Sequence, residues 1–327
     1  MNDPTPVLAH RPRHAVRTVI VSLAAVTVLL VAVLYTWPVT SGLRQAAVRP
    51  LSYASAQAEA LRTAEADAND QQVRPGCASQ ILDHGERTGK AVLMLHGYTA
   101  CPSQLSGLAK EYFDAGYNVY IPRAPLHGIT DRQAHAEVEA GGLIRYAADA
   151  WNIAAALGDD VGIVGISGGA VLATWLAQYR ADSVRRLLVL SPFYRPDNDK
   201  APSIAIRPMT FLYSNGLLPD HVNANGYSFT ALAQYMRVAA AFQQPPEDAA
   251  LSSVALVVSP NDTFIDHDQA VTVPRELAED SGASFAERTL PKELGLEHDI
   301  VTVDRLGPAA DDLYPMYREL YEAAPAG

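Results

Sequence analysis

The chain has 327 residues, enough for one large core with an insertion, and 49% of them are hydrophobic against 19% charged. The formal net charge of −11 argues against nucleic acid as a partner. Two cysteines are too few for a disulfide-dense scaffold or a cysteine-held zinc cluster.

Arg11, Arg13 and Arg17 precede a run of uncharged positions, 18–37, made mostly of Val, Leu, Ala and Ile. As a helix this run is about 30 Å long, enough to cross a bilayer core. Tyr35 and Trp37 stand at its far end, where amphipathic rings favour the interface. A cleavable signal has a shorter apolar core, and Ala-x-Ala candidates such as Ala54-Ser55-Ala56 lie far downstream. The run therefore reads as a retained anchor at 18–37 behind a cytoplasmic tail at 1–17. The arginines before it favour an extracytoplasmic remainder, although Arg44 and Arg49 on the other flank pull the opposite way. Residues 38–75 are rich in Ala, Gln, Glu and Arg, with a polar helix expected over 52–69. This segment reads as a stalk with little core of its own.

The globular part is expected at 76–327. Apolar runs at 91–95, 118–122, 161–166, 184–190 and 254–258 read as strands, followed by a further strand at 283–290. Helical patterns at 103–115, 132–157, 167–180, 269–280 and 308–323 separate or follow them. Strands alternating with helices predict a mostly parallel sheet covered on both faces, with ligands bound beyond the carboxyl ends of the strands. Residues 192–253 break the alternation and are rich in Pro, Tyr, Phe and Met, with helical pieces at 204–212 and 229–242. Their place in the chain reads as a lid. Met209, Phe211, Tyr213, Phe229, Tyr235, Met236 and Phe242 would line an apolar pocket beneath it.

The chemistry centres on Gly165-Ile166-Ser167-Gly168-Gly169, between a β-branched run and a helical pattern. Strand, Gly-x-Ser-x-Gly, helix is what a nucleophile elbow requires: a serine on so sharp a turn needs neighbours without bulky Cβ groups. Such a serine needs a base, and the base an acid, in the chain order Ser, acid, His. Only His221, His267 and His298 follow Ser167. His221 lies in the insertion and His267 in the loop expected to hold the acid, which leaves His298 as the base. Asp262 is the first carboxylate after the 254–258 strand; Asp266 and Asp197 are the alternatives. The N–H groups of Tyr98 and Gly168 are the candidate oxyanion donors, with His96 and His127 bracing the loops around them.

These pieces together resemble the α/β-hydrolase superfamily, and within it the carboxylesterase and monoacylglycerol-lipase-like serine hydrolases. The matching segments are LHGYT at 95–99, PRAPLHG at 122–128, GISGG at 165–169, PNDTFID at 260–266 and EHDI at 297–300. The resemblance covers about 77–323 and departs at Leu126, where relatives often carry glycine. It implies the α/β-hydrolase fold, a Ser167, Asp262 and His298 triad, and hydrolysis of small-molecule or lipid esters with apolar acyl groups. No metal or organic cofactor is called for. Thioesterase, amidase or haloperoxidase-type chemistry on the same residues is the alternative, as is an inactive membrane-tethered binding module. Export would also put Cys77 and Cys101 in oxidising surroundings, where they are expected to pair.

Overall fold

The structure, a computed structural model, describes residues 13–246 and 248–323. It divides into two units, Met1–Pro38 and Val39–Gly327. In the first, the described residues form helix α1 (Arg13–Thr36). Its stretch Val16–Thr36 has a mean hydropathy of 2.6 and is long and apolar enough to cross a membrane. The tail expected at 1–17 falls mostly outside the described residues.

The second unit begins with α2 (Tyr53–Asn69), β1 (Gln80–Leu82), β2 (Thr88–Leu95), α3 (Ser106–Asp114) and β3 (Tyr117–Ile121). It continues with α4 (Ala140–Ala154), β4 (Gly158–Ile166), α5 (Gly168–Tyr179) and β5 (Arg186–Leu190). The insertion follows, with α6 (Ser203–Ser214) and α7 (Phe229–Ala239). Then come β6 (Ser253–Val258), α8 (His267–Ser281), β7 (Ser284–Thr289), α9 (Val303–Leu306) and α10 (Ala310–Glu322). The strands form one sheet in the order β1-β3-β2-β4-β5-β6-β7. Only β1 runs antiparallel to its neighbour. The inner strands are covered on both faces, which is why β5 and β6 are apolar along nearly their whole length. On one face Trp151 of α4 and Trp175 of α5 are fully buried; on the other, Tyr112 of α3 packs with Tyr317 and Tyr321 of α10.

Two expectations change. The helix expected over 132–157 is a 3-10 turn, Ala134–Glu137, followed by α4. The chain is extended at Val138 and Glu139 between them. Val138 is buried there, and the Ala140 N–H donates to Gln234 Oε1 of α7, so the start of α4 is set by a tertiary contact. β1 was not foreseen, since three edge residues carry no readable period.

The larger change concerns residues 38–75, which do not form a free stalk. From Val39 on they belong to the second unit. Leu43 is 2% exposed, and its carbonyl accepts from Trp175 Nε1 at 2.8 Å. Ala56 and Ala60 put a smooth, fully buried face of α2 into the core. At the end of α2, Asp67 accepts from Ser79 N and Oγ and from Arg123 Nε and a terminal nitrogen, the last at 2.6 Å. Small residues and one buried ion pair do the packing that a count of large apolar side chains overlooks.

Cys77 and Cys101 form a disulfide, with Cα atoms 5.2 Å apart. Gly128 lies against both: a Cβ there would stand 2.8 Å from each cysteine Cβ.

Candidate active site

β4 delivers Ser167 to the carboxyl edge of the sheet with φ 54° and ψ −118°, a conformation that L residues avoid. Its backbone is held from two sides: Ser167 N donates to Leu190 O at 3.0 Å, and Phe193 N donates to Ser167 O at 3.3 Å. The two flanking glycines are required by close approach. A Cβ on Gly169 would land on the Leu95 carbonyl oxygen, and one on Gly165 would meet the backbone of Gly169 and Ala170.

The loop after β6 brings Asp262, and the loop after β7 brings His298. His298 Nδ1 lies 2.7 Å from Asp262 Oδ2, and His298 Nε2 lies 2.7 Å from Ser167 Oγ. The carboxylate accepts the Nδ1 proton, which leaves Nε2 to accept from the serine hydroxyl. Asp262 has a fully buried side chain, and its other oxygen accepts from Phe264 N at 2.8 Å. His267 Nε2 donates to the Asp262 carbonyl at 2.7 Å, so this histidine fixes the acid loop and does not reach the serine. The alternative acids are engaged elsewhere. Asp266 caps α8 through Gln269 N and faces Arg195 at 3.5 Å, while Asp197 accepts from Asp199 N. His221 stacks edge-on with Phe229 in the insertion.

Tyr98 and Gly168 meet beside Ser167: a Cβ on Gly168 would come 3.1 Å from Tyr98 Cβ. Gly168 opens α5, so its N–H has no acceptor within the helix. The loop before Tyr98 is clamped at both polar groups of Gly97. Gly97 N donates to Gln104 Oε1 at 2.8 Å, and the Gly97 carbonyl accepts from His96 Nδ1 at 3.0 Å. His96 Nε2 in turn accepts from Ala124 N at 3.0 Å. Burial pushes this imidazole down to about 4, and the next buried histidine, His127, down to about 3. Both are therefore neutral at ordinary pH and serve as loop braces, as expected. Gln104 was not foreseen, because a glutamine seven positions after a glycine belongs to no motif. Leu126 takes φ 63°, so the loop keeps a glycine-type backbone without a glycine.

Above the serine lies a cavity of about 720 Å³. Met209, Tyr213, Phe229, Tyr235 and Met236 line it, as the composition of the insertion suggested, and Phe193 and Phe264 add to the wall. Phe211 and Phe242 are not among the lining residues; Phe242 packs edge-on against Tyr194. The Tyr98 hydroxyl donates to the Ser228 carbonyl at the start of α7, tying the Tyr98 loop to the insertion. Burial raises the pKa of that hydroxyl, so it remains a donor. Among the described residues no group of His, Cys, Asp or Glu could hold a metal ion.

The sequence pattern of the alpha/beta hydrolase family matches residues 92–314, from β2 into α10. The chain belongs to this family. Solved structures agree in fold. A metagenome-derived lipolytic enzyme of the LipS and LipT pair is 18% identical with a TM-score of 0.56, covering 76% of this chain and 100% of its own. The monoacylglycerol lipase of Paleococcus ferrophilus is 15% identical with a TM-score of 0.54, over 73% of this chain and 97% of its own. A soluble variant of the Saccharomyces cerevisiae monoglyceride lipase, bound to a substrate analogue, is 11% identical with a TM-score of 0.52, over 75% and 92%. No curated protein matches the chain.

Proposed function

We propose that this hydrolase cleaves carboxylic esters of apolar acyl groups through Ser167, His298 and Asp262. The observation that carries the reading is the unbroken hydrogen-bond line from Asp262 through His298 to Ser167, opening onto an apolar cavity. His298 takes the Ser167 proton as the oxygen attacks the ester carbonyl. Asp262 holds the imidazole tautomer and stabilises the imidazolium. The N–H groups of Tyr98 and Gly168 receive the oxyanion, and His298 protonates the departing alcohol. Water, deprotonated by His298, then releases the acid from the acyl-enzyme. Lipolytic and monoglyceride-cleaving enzymes among the structural neighbours support the ester reading. In the same proposal α1 is a retained single-pass anchor, with the catalytic domain on the extracytoplasmic side, where its disulfide persists.

A panel of nitrophenyl esters of increasing chain length tests this. Turnover of short and medium acyl chains, absent in Ser167→Ala, is expected. Turnover of matched amides or thioesters in preference to esters would replace the ester assignment.

A further inference from the structure

A second cavity, of about 200 Å³, adjoins the one over Ser167, and Thr99 and Asn225 stand in the walls of both. Thr99 follows Tyr98 and takes φ 65°, a left-handed backbone that a β-branched residue rarely adopts. Strain of this kind persists where the surroundings hold it in place, often at a site. The two cavities differ in character. Met209, Phe229 and Met236 make the first apolar, whereas Arg74, Arg132 and His135 line the second.

Arg74 lies before the stretch 92–314 that matches the family. The N-terminal segment carries it in. Arg74 N donates to Gly128 O at 2.8 Å, Thr130 N donates to Gln72 O at 2.7 Å, and Val73 pairs with Ile129. The disulfide of Cys77, packed on Gly128, pins the chain just after it. Arg74 is half-buried, and its Nε is buried without a hydrogen-bond partner; Arg132 is exposed. Among the described residues neither guanidinium forms an ion pair, in a chain whose net charge is −11. The carboxylate in the cavity wall, Asp131, accepts from Gln133 N at 2.9 Å.

His135 is 3% exposed, and its Nδ1 donates to Arg132 O at 2.8 Å. Burial lowers its pKa, outweighing the carbonyls of Arg132 and Gly226, which favour the proton. The neutral ring leaves Nε2 an acceptor, and it too is buried without a partner. A buried donor and a buried acceptor left unmatched in one cavity cost free energy. A ligand bearing both an anionic oxygen and a hydroxyl offsets that cost.

From this arrangement we infer that the second cavity receives the alcohol part of the ester, and that this part is a hydroxylated group carrying a phosphate or a carboxylate held by Arg74 and Arg132. The acyl chain then lies in the apolar cavity, the scissile carbonyl at Ser167, and the charged leaving group past Thr99. Guanidinium forks match either anion. The inference rests on the ester reading above and adds the other half of the substrate.

The test uses the purified full chain in detergent micelles with butyrate esters of glycerol, of glycerol 3-phosphate and of glyceric acid. The ratio of kcat/KM for each anionic ester to that for the glycerol ester is read. At least one ratio is expected to reach about tenfold, the size of one hydrogen bond to a charged group. The larger ratio separates phosphate from carboxylate. Arg74→Gln is expected to lower it about tenfold, and Arg74→Lys to restore part of it. Arg132→Gln is expected to lower it less, by an amount that shrinks in high salt. The glycerol ester is measured on every variant, so a general loss of turnover cancels in the ratio. Arg132→Gln decides if Arg74→Gln does not fold. Ratios near one in the unaltered chain overturn the inference and leave the ester reading intact. A high ratio unchanged in both arginine variants overturns the assigned cavity. Failure of the unaltered chain on all of these esters and on nitrophenyl butyrate counts against the ester reading itself.

Discussion

The turn at Ser167 and the segment 39–75 are both fixed against the same core, by opposite means. Around Ser167 the backbone does the holding: main-chain bonds to Leu190 and Phe193, and glycines packed onto carbonyl groups. In 39–75 side chains hold the backbone: Arg237 on Val39, Trp175 on Leu43, and Asn152 on Ala47 and Arg49. A backbone-held turn tolerates almost no change of residue type but keeps its shape when neighbouring side chains change. A side-chain-held segment accepts varied sequence and fails at a few anchoring groups. The disulfide links their surroundings: Cys77 lies just after the segment, and Cys101 just past the Tyr98 loop beside Ser167.

The largest effect is expected at the acid. Asp262→Asn leaves the fold intact but presents the wrong imidazole tautomer, and kcat should fall about 10⁴-fold. Asp266→Asn should leave kcat unchanged and weaken only the cap of α8. A severe Asp266→Asn with a mild Asp262→Asn would reverse the assignment.

The N-terminal segment should break at Asp67. Asp67→Ala leaves Arg123, whose side chain is 17% exposed, without its carboxylate partner. The expected loss is about 3 kcal/mol in denaturant unfolding. In the same assay a chain begun at Ser52 loses the buried Leu43, about 1.5–3 kcal/mol, whereas a chain begun at Val39 unfolds like the intact domain. Equal stability of the two truncations would mean that the segment is dispensable after all.

Reducing the disulfide tests the junction. It releases a loop with a sequence separation of 24, for a loss of about 3 kcal/mol in the chain-entropy model. Because Cys101 follows the Tyr98 loop, kcat should fall with stability. A Cys101→Ser chain with full kcat would make the link structural only.

A smaller effect is expected from His96, which braces the backbone-held region. Its imidazole is held down to about 4 by burial, while in the unfolded chain it titrates near 6.5. Between those values the unfolded state binds the extra proton. Stability is therefore complete above about pH 6.5 and is lost as pH falls toward 4, by roughly 1.4 kcal/mol per unit. His96→Gln should remove that part of the slope; an unaltered slope would mean that His96 is not buried neutral.

The same contrast explains what could be read in advance. Ser167, Asp262 and His298, which lie within hydrogen-bond distance of one another in turn, could be singled out because they follow β4, β6 and β7 in a fixed chain order, each within a short motif. The parallel sheet was legible from its apolar runs. Residues 39–75 were not, because Ala56 and Ala60 bury as completely as leucine while looking like any polar helix, and Leu43 stands alone. Gln104 and the bond from Tyr98 to Ser228 depend on side chains meeting across 7 and 130 residues, for which no local pattern exists.

The central claim is that Ser167 is a nucleophile activated by His298. A fluorophosphonate probe on the purified full chain tests it most directly, with the adduct mapped by mass spectrometry. One label on Ser167 is predicted, absent in Ser167→Ala and slowed by orders of magnitude in His298→Ala. An unlabelled chain, or a label elsewhere in a chain that still cleaves esters, would contradict the account.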